Sequence, residues 1–568
     1  MIKRIFILLF MSVSAGSWAQ TEIPMLMTSM WHQKDPFNAQ CPLVKNAAPA
    51  AGCGAIAVAQ MLYYYKQPAH GFGRPQYTTS NYSVDIDLTS RTFEYDKIYN
   101  KYYDFTSTVA KDAVASLVAG VGAAMKMQYG TSSSPSNFPS MMWGLQHYLH
   151  FSPQCRYRSR RYYSTAEWLE MLNGELEQNR PVFYRGVHTS PGSTAAHLYV
   201  LDGRGKDGKY HANFGHASST QDKYVDLNVI NQGTDEYPGV YSVCYHHQQA
   251  MITDGYPVDG LTDADYDQSA FILTSPLVLG GQSRATTVTA KGSVQAQFRA
   301  HYANYVGGSA QLTLGFYQDG QLRGTSTTIR NVTVSGGGFY LNFNRTFGLP
   351  TNLPAGQYEM SIISRENAAS SWVRGWDNAP NRVPVQVKSD GSYVFTMPNY
   401  HDKECNLFLE KSITEPTGGK TGGKTFELAV RNPTDNNFED TIRLVVTSSR
   451  GTKQYDMPTS VYDGQKVTYR FFVSNSDADF TQAYEVTALY KETAAGKWLP
   501  LTENTDGVHA ASLSATSAVR IFTMDGLLIR SFDYSHGLND YSAFLGSLPK
   551  GVYLVSDSSG TRKFVKRT

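Results

Sequence analysis

Hydrophobic and polar residues follow two different patterns along this chain, and the change between them falls near residue 275. Up to about residue 273, apolar positions recur with helical spacing in some segments and form short strand-like runs in others. The predicted helices span residues 53–66, 110–126, 139–150 and 166–178. The predicted strands span residues 181–186, 197–202 and 209–214. Helices that come first and strands that come later indicate an α+β domain.

After residue 276, apolar and polar residues alternate with period two, as in residues 312–316, and Gly, Asn and Pro punctuate the runs. This pattern is typical of antiparallel β-sandwiches. The stretch is long enough for two all-β sandwich modules, which we place at residues 276–400 and 401–505. Several short strand patterns then predict a small C-terminal β domain at residues 506–568.

Residues 1–19 have the features of a secretory signal peptide. Lys3 and Arg4 precede a short apolar run, and Ser17-Trp18-Ala19 has the small residues of a cleavage site. The run is too short to cross a bilayer, which requires about 20 apolar residues. We therefore expect a soluble, exported protein with no membrane span.

The composition is that of an ordinary globular protein, because 41% of the 568 residues are hydrophobic and 17% are charged. This length corresponds to about three or four domains. The 50 Lys and Arg residues balance 48 Asp and Glu residues, so the net charge of +2 gives no indication of a basic surface that would bind nucleic acid. The 5 cysteines form no C-x-x-C pair and H-E-x-x-H is absent, so we expect neither a metal site nor a cofactor.

Cys53 stands at the start of an alanine-rich segment that carries no charge before Lys66. Such a segment predicts a buried helix that is apolar nearly all round, and Gly52 permits a tight turn into it. A thiol at a helix N-terminus lies at the positive end of the helix dipole, which lowers its pKa and favours the nucleophilic thiolate. A buried structural cysteine explains the position equally well, because free Cys is often buried.

A thiolate nucleophile requires a base, and His197 opens an apolar strand that ends at Asp202. A turn at residues 203–208 predicts a hairpin that brings His197 near Asn213 on the returning strand. The Asn213 amide could then fix the tautomer of the imidazole, as the third member of such a site does. A strand histidine with no catalytic role is the alternative, and the spacing alone leaves both open.

Several motifs of the first half of the chain resemble those of the streptopain family of cysteine peptidases. The matching segments are residues 31–38, 52–66, 129–133, 180–184, 197–203 and 210–215. They fall in the family's order and at similar intervals, and the third is similar to a substrate-loop segment.

The resemblance implies a papain-like fold over residues 20–275, with a helical lobe that carries Cys53 and a β lobe that carries His197. It implies a cysteine endopeptidase that acts on protein or peptide substrates. Cys53 is then the nucleophile, His197 the base and Asn213 the residue that orients the imidazole. We expect the oxyanion hole to use the backbone N–H of Cys53 and the side chain of Gln33.

The competing interpretation is a non-catalytic surface adhesin or binding protein with a decayed peptidase domain. The family has Trp-Gly-Trp after the asparagine, where this chain has Phe214, Gly215 and His216. The presence of a nucleophile, a base and an orienting residue together favours the enzyme.

Residues 506–568 resemble a second family, the type IX secretion sorting domains. The resemblance rests on residues 519–522, the turn at 525–526, residues 548–555 and the basic ending at residues 563–567. It implies that the type IX secretion machinery exports the protein, which is then released or attached to the outer-membrane cell surface. The small and polar residues at 511–517 indicate a linker before this domain.

Overall fold

The structure of the protein is a computed structural model, which describes residues 22–503 with short gaps, and four strands after residue 517. The gaps are residues 218–221, 233–236, 240–242, 263–264, 267–270, 274, 282–285, 303–306, 336–339, 375, 378–381, 403, 417–420 and 493–495. The predicted signal peptide and the predicted linker at residues 511–517 lie outside the described residues. In the part of the chain that the structure describes, no helix is both long and apolar enough to cross a bilayer.

The helix that begins at Cys53 (α1, Cys53–Tyr65) is buried along most of its length because small and apolar residues form it. Every residue from Gly54 to Leu62 is buried. Gly52 precedes the helix with φ at +97°, a backbone conformation that favours glycine. A Cβ at Gly52 would lie 2.2 Å from the Cε of Met127, so the turn into the helix requires glycine on both grounds.

Polar caps start the other helices of the described residues. Ser107 and Asn137 accept hydrogen bonds from backbone N–H groups of the helices that follow them, and Ser164 forms a capping box with Glu167. These helices are α2 (Thr108–Ala124), α3 (Phe138–His147) and α4 (Thr165–Glu177). The four helices predicted from the sequence are thus confirmed, with ends that differ by at most three residues.

The part of the chain before residue 271, here called the first unit, also contains an antiparallel sheet of six described strands and a separate pair of short strands. The strands are β1 (Gln76–Thr78), β2 (Ser83–Asp85), β3 (Arg156–Ser159), β4 (Val182–Ser190), β5 (Ser193–Arg204), β6 (Tyr210–Asn213), β7 (Lys223–Val225) and β8 (His247–Thr253). The order in the main sheet is β3-β8-β4-β5-β6-β7. The three predicted strands correspond to β4, β5 and β6 and are confirmed.

Strand β5 lies between two hydrophobic cores because its side chains alternate between the faces of the sheet. Leu198 and Val200 pack into the core that contains α1, α2 and α3. Tyr199 and Leu201 pack into a second core, which α4 covers through Trp168. The sheet therefore carries helices on both faces, and α1 lies directly against β5.

Two β-sheet pairs follow the first unit, each around its own core. The first pair contains β9 (Phe271–Leu273), β10 (Val278–Leu279), β11 (Thr287–Lys291), β12 (Ser293–Tyr302), β13 (Gly307–Gln318), β14 (Gln321–Thr325), β15 (Arg330–Ser335), β16 (Tyr340–Gly348), β17 (Gly356–Arg365), β18 (Val373–Arg374), β19 (Trp376–Asp377), β20 (Val383–Val387) and β21 (Ser392–Thr396). The second contains β22 (Phe408–Leu409), β23 (Gly423–Arg431), β24 (Phe438–Ser448), β25 (Gly451–Val461), β26 (Lys466–Ser474), β27 (Glu485–Lys491) and β28 (Trp498–Pro500). The module boundaries given above stay predictions. Strand β9 lies before the predicted boundary at residue 276, yet it pairs with β12 of the first sheet pair.

The unit formed by β22–β28, here called the third unit, docks on the first unit through buried hydrogen bonds. The Asn437 side chain donates to the carbonyl oxygens of Arg161 and Tyr163 at 3.0 and 2.8 Å. Thr459 and Ser460 on β25 bond the imidazoles of His246 and His247, each at 2.8 Å. These contacts join the third unit to the first unit at the start of β8 and at the segment that follows β3.

After residue 517, the described strands form one antiparallel sheet in the order β30-β29-β31-β32. Their bounds are β29 (Ala518–Thr523), β30 (Leu528–Asp533), β31 (Gly551–Asp557) and β32 (Gly560–Lys566). The small β structure expected here is present, and its identity as a sorting domain stays a prediction.

We predict that Asn437→Ala weakens the docking of the third unit. The substitution removes the donor for two buried carbonyl groups of the first unit, so the free energy of unfolding should fall by about 2–6 kcal/mol, at about 1–3 kcal/mol for each group. Urea unfolding followed by circular dichroism measures this. Asn436→Ala is the matched control, because the Asn436 amide is exposed and bonds only the carbonyl of Glu404 within its own unit. Equal losses in the two variants would contradict the assigned role.

Candidate active site

Cys53 lies at the point where α1 meets β5. The backbone N–H of Leu198, the residue that follows His197, lies near its thiol. Burial raises the pKa of the Cys53 thiol, and the N–H groups of Leu198, Gly54 and Cys53 itself act in the opposite direction. The lowered pKa expected from the helix N-terminus is therefore wrong for this structure, because desolvation of the thiolate outweighs the N–H dipoles.

His197 is buried, and one nitrogen of its ring has a fixed hydrogen-bond partner. Its Nε2 lies 2.8 Å from the backbone oxygen of Phe214. A carbonyl oxygen only accepts, so Nε2 carries the proton and Nδ1 holds a free lone pair. Burial and, to a lesser extent, the charge of His216 lower the pKa of His197 to about 3, and the Phe214 carbonyl acts in the opposite direction. The imidazole is therefore neutral at neutral pH.

The ring of His197 lies among three other ring side chains, those of Phe214, His216 and Tyr245. The ring centroids of His216 and Tyr245 lie 4.9 and 5.0 Å from that of His197, and that of Phe214 lies at 6.2 Å. Burial raises the pKa of the Tyr245 hydroxyl and the nearby Cys53 thiol adds to the rise. Cys53 and His197 thus share Tyr245 as a neighbour. Phe214 and His216 occupy positions beside the imidazole, where the sequence differs from the family pattern.

The ladder between β5 and β6 places Val200, and not His197, opposite Asn213. The hairpin expected from the turn at residues 203–208 is present, and it brings His197 next to Phe214, the residue after Asn213, although His197 and Asn213 are not directly paired. The two strands continue to pair up to Arg204 and Tyr210, so the turn between them is shorter than predicted. Asn213 therefore pairs with Val200, which is nearer to the turn than His197 is. His197 consequently lies beyond the end of β6, next to the backbone of Phe214.

The Asn213 side chain bonds groups other than the His197 ring. It forms a two-way amide pair with Gln60 on α1, with both N···O distances at 3.2 Å. Its Nδ2 also donates to the backbone oxygen of Ser29 at 2.8 Å, and its Oδ1 accepts from the N–H of Gly215 at 3.1 Å. Asn213 therefore fixes the start of the loop that carries the Phe214 carbonyl, and its catalytic role stays a prediction.

Gln33 lies beside the segment that leads into α1. Its backbone oxygen accepts from the N–H of Ala51 at 2.9 Å, two residues before Cys53. The loop at residues 129–134 packs on the same segment, because Ser134 donates to the backbone oxygen of Ala50 at 2.6 Å. The structure thus brings Gln33 and the predicted substrate-loop segment close to Cys53, and the oxyanion role of Gln33 stays a prediction.

Sequence reasoning missed Gln60, Tyr245 and the Phe214 carbonyl. Gln60 had a signal, since it is the polar residue within the otherwise apolar stretch of buried residues in α1. Tyr245 had none, because more than 40 residues separate it from His197 in the sequence. Cys53 is the least buried of the five cysteines.

The arrangement offers a partly buried thiol, an imidazole with a free Nδ1 and backbone N–H groups at the start of a helix. These are the groups that acyl transfer through a thiol requires. Among the described residues, no cluster of His, Cys, Asp and Glu could hold a metal ion.

Comparisons with known proteins find cysteine peptidases that are similar to part of this chain. Residues 31–224 match the Peptidase C10 family. Streptopain of Streptococcus pyogenes is 27% identical over 219 residues, which cover 35% of this chain and 54% of streptopain. The chain thus spans about half the length of the streptopains that it matches.

Two further relatives come from other bacteria. The thiol protease/hemagglutinin PrtT of Porphyromonas gingivalis is 28% identical over 313 residues, which cover 54% of this chain and 34% of PrtT. The structure of the interpain A cysteine protease of Prevotella intermedia is 28% identical, with a TM-score of 0.38, and the match covers 41% of this chain and 95% of interpain A. The family match and the sequence relatives support a cysteine-protease domain of the Peptidase C10 family within residues 31–224.

Proposed function

We propose that this protein is a secreted cysteine endopeptidase in which Cys53 is the nucleophile and His197 is the base. The observation that carries the proposal is the contact of the Cys53 thiol with the backbone N–H of Leu198, directly after His197. The contact places the backbone next to His197 against the thiol, which makes His197 the candidate for the base that a thiol nucleophile requires.

Both groups are neutral before substrate binds, because burial raises the pKa of the thiol and lowers that of the imidazole. In the reaction, His197 Nδ1 takes the Cys53 proton as the sulfur attacks the carbonyl carbon of the peptide bond. The Cys53 N–H and the Gln33 amide stabilise the oxyanion. The imidazolium then protonates the leaving amine, and water hydrolyses the thioester with His197 as base, which restores the thiol.

The same proposal includes export. The charged and apolar pattern of residues 1–19 supports a signal peptide, and the motifs of residues 506–568 support recognition by the type IX secretion machinery. The mature protein then acts on protein or peptide substrates outside the cell or at the outer-membrane surface.

We predict that Cys53→Ser loses hydrolysis of fluorescein-labelled casein by at least about a thousandfold, because a serine hydroxyl with a neutral, buried imidazole is a poor nucleophile. Cys41→Ser is the matched control. Burial raises the pKa of the Cys41 thiol to about 11, and Cys41 lies in the helical-lobe core. It should retain activity.

An irreversible thiol-peptidase inhibitor should label Cys53 and leave Cys41 unlabelled. Full activity in Cys53→Ser would disprove the nucleophile. A wild-type protein that hydrolyses nothing and labels nowhere would instead favour the binding protein with a decayed peptidase domain.

We predict that His197→Ala removes nearly all activity and that Asn213→Ala and Gln60→Ala each reduce it about tenfold. These two amides hold the loop that carries the Phe214 carbonyl, and a lost buried hydrogen bond costs roughly 1 kcal/mol or more.

Because Gln60 and Asn213 bond each other, the double variant should lose less than the product of the single losses. Gln67→Ala is the matched control, since Gln67 lies just after α1 and bonds Asp259 at an exposed site. Fully multiplicative losses of Gln60→Ala and Asn213→Ala would show that the pair does not act as a unit.

We predict that removal of residues 506–568 leaves the purified enzyme active and abolishes its export. A domain that follows a small, polar linker shares few contacts with its neighbour, so the catalytic unit should keep its melting temperature. In the native host, the truncated chain should accumulate in the periplasm. Cell fractionation with an antibody to the first unit measures this, and normal export of the truncated chain would refute the sorting role.

A further inference from the structure

Both backbone groups of Phe214 are engaged, and the partners lie on opposite sides of the strand end. We propose that Asp222 is a positioning residue for His197, which it holds through the backbone of Phe214. The inference rests on the proposed function, since it assigns to Asp222 a role in the same site.

The geometry is a chain of two short hydrogen bonds. The Phe214 N–H donates to Asp222 Oδ1 at 2.8 Å, and the Phe214 carbonyl oxygen accepts from His197 Nε2, also at 2.8 Å. The Phe214 ring is 1% exposed and packs in the sheet core, so the residue has little freedom to move. Gly215 follows with φ at +66° and lies against Ile56 of α1. The carbonyl that fixes the His197 tautomer is thus placed by three contacts, and Asp222 supplies the charged one.

The surroundings of Asp222 explain why its charge matters. It lines a cavity of about 830 Å³ together with Lys101, Lys223 and His211. His211 Nδ1 lies 2.6 Å from Asp202 Oδ1, so a second carboxyl faces the same region. Asp222 Oδ2 is buried and has no hydrogen-bond partner among the described residues. Among the described residues, the Asp222 carboxyl is therefore held by one hydrogen bond, from the Phe214 N–H to Oδ1.

Burial raises the pKa of Asp222 to about 6 and Asp202 adds to the rise, while the Phe214 N–H and His211 oppose it. An ionised carboxylate is a stronger acceptor than a protonated one. The hold on Phe214 consequently weakens as the pH falls through about 6. The pKa of His197 lies near 3 and that of Cys53 above its usual value, so neither group titrates in that range in the free protein.

The test compares Asp222→Asn and Asp222→Ala with wild type, with kcat/KM for labelled casein followed between about pH 4 and 9. Wild type should gain activity with an inflection near pH 6. Asp222→Asn keeps an acceptor of the same shape without a charge, so its activity should fall about tenfold at neutral pH and the inflection should vanish. Asp222→Ala should lose more activity than Asp222→Asn, and thermal unfolding shows whether the Ala variant folds. If the Ala variant does not fold, the activity and pH profile of Asp222→Asn alone decide whether Asp222 positions His197.

Asp226→Asn is the matched control. Asp226 lies at the other end of β7, is exposed and caps a turn by accepting from the N–H of Asn228 at 2.7 Å. It should keep both the rate and the inflection. His211→Gln tests whether the inflection comes from the neighbouring imidazole of His211 and not from the Asp222 carboxyl. An inflection that persists in Asp222→Asn, or that disappears only in His211→Gln, overturns the proposal.

A second readout separates this inference from the proposed function. The rate at which iodoacetamide alkylates Cys53, measured by mass spectrometry of the labelled peptide, reports the assembly of thiol and imidazole without peptide hydrolysis. An inflection near pH 6 that Asp222→Asn removes supports positioning even if casein is not cleaved. Cleavage by wild type with no effect of Asp222→Asn on either readout supports the peptidase and overturns the role of Asp222.

Discussion

A polar side chain in the middle of a buried helix must find a hydrogen-bond partner, and in this protein that requirement connects the two lobes. Gln60 is fully buried on α1, and its amide is paired with that of Asn213 at the end of β6. Ser29 closes the cluster with its hydroxyl on Gln60 and its carbonyl on Asn213. The position of α1 against the sheet is therefore set by polar contacts as well as by packing, and Cys53 lies about two turns before Gln60 on nearly the same face of the helix.

The burial that creates this arrangement also determines how the site is charged. A desolvated thiol and a desolvated imidazole are both stable in their neutral forms, so the resting site carries no ion pair. The helix dipole is present at Cys53, yet it acts on a thiol whose surroundings disfavour charge. In the proposed reaction, the thiolate therefore forms only as the sulfur attacks the substrate.

Much of this fold follows from local patterns in the sequence. The helices and central strands were predictable because apolar spacing and capping residues such as Ser164 act within a few residues. The positions of Cys53 at the start of α1 and of His197 on β5 were also predictable, since Gly52 and the uncharged helix mark Cys53 and an apolar run marks the strand. The register of β5 and β6 was not, because the tighter turn depends on how far the strands pair. Burial was not predictable either, because the raised pKa of Cys53 comes from desolvation, which depends on how distant parts of the chain pack around the thiol.

The docking of the third unit has a consequence for the order of events during synthesis. Thr459 bonds His246 across 213 residues of chain, and Ser460 bonds His247 across the same separation. His246 directly follows Tyr245, whose ring stacks near His197. A ribosome makes the first unit long before it reaches these partners, so the wall of the site next to Tyr245 acquires its final hydrogen bonds late. A nascent chain that stops short of residue 459 carries Cys53 and His197 with that wall still unsupported.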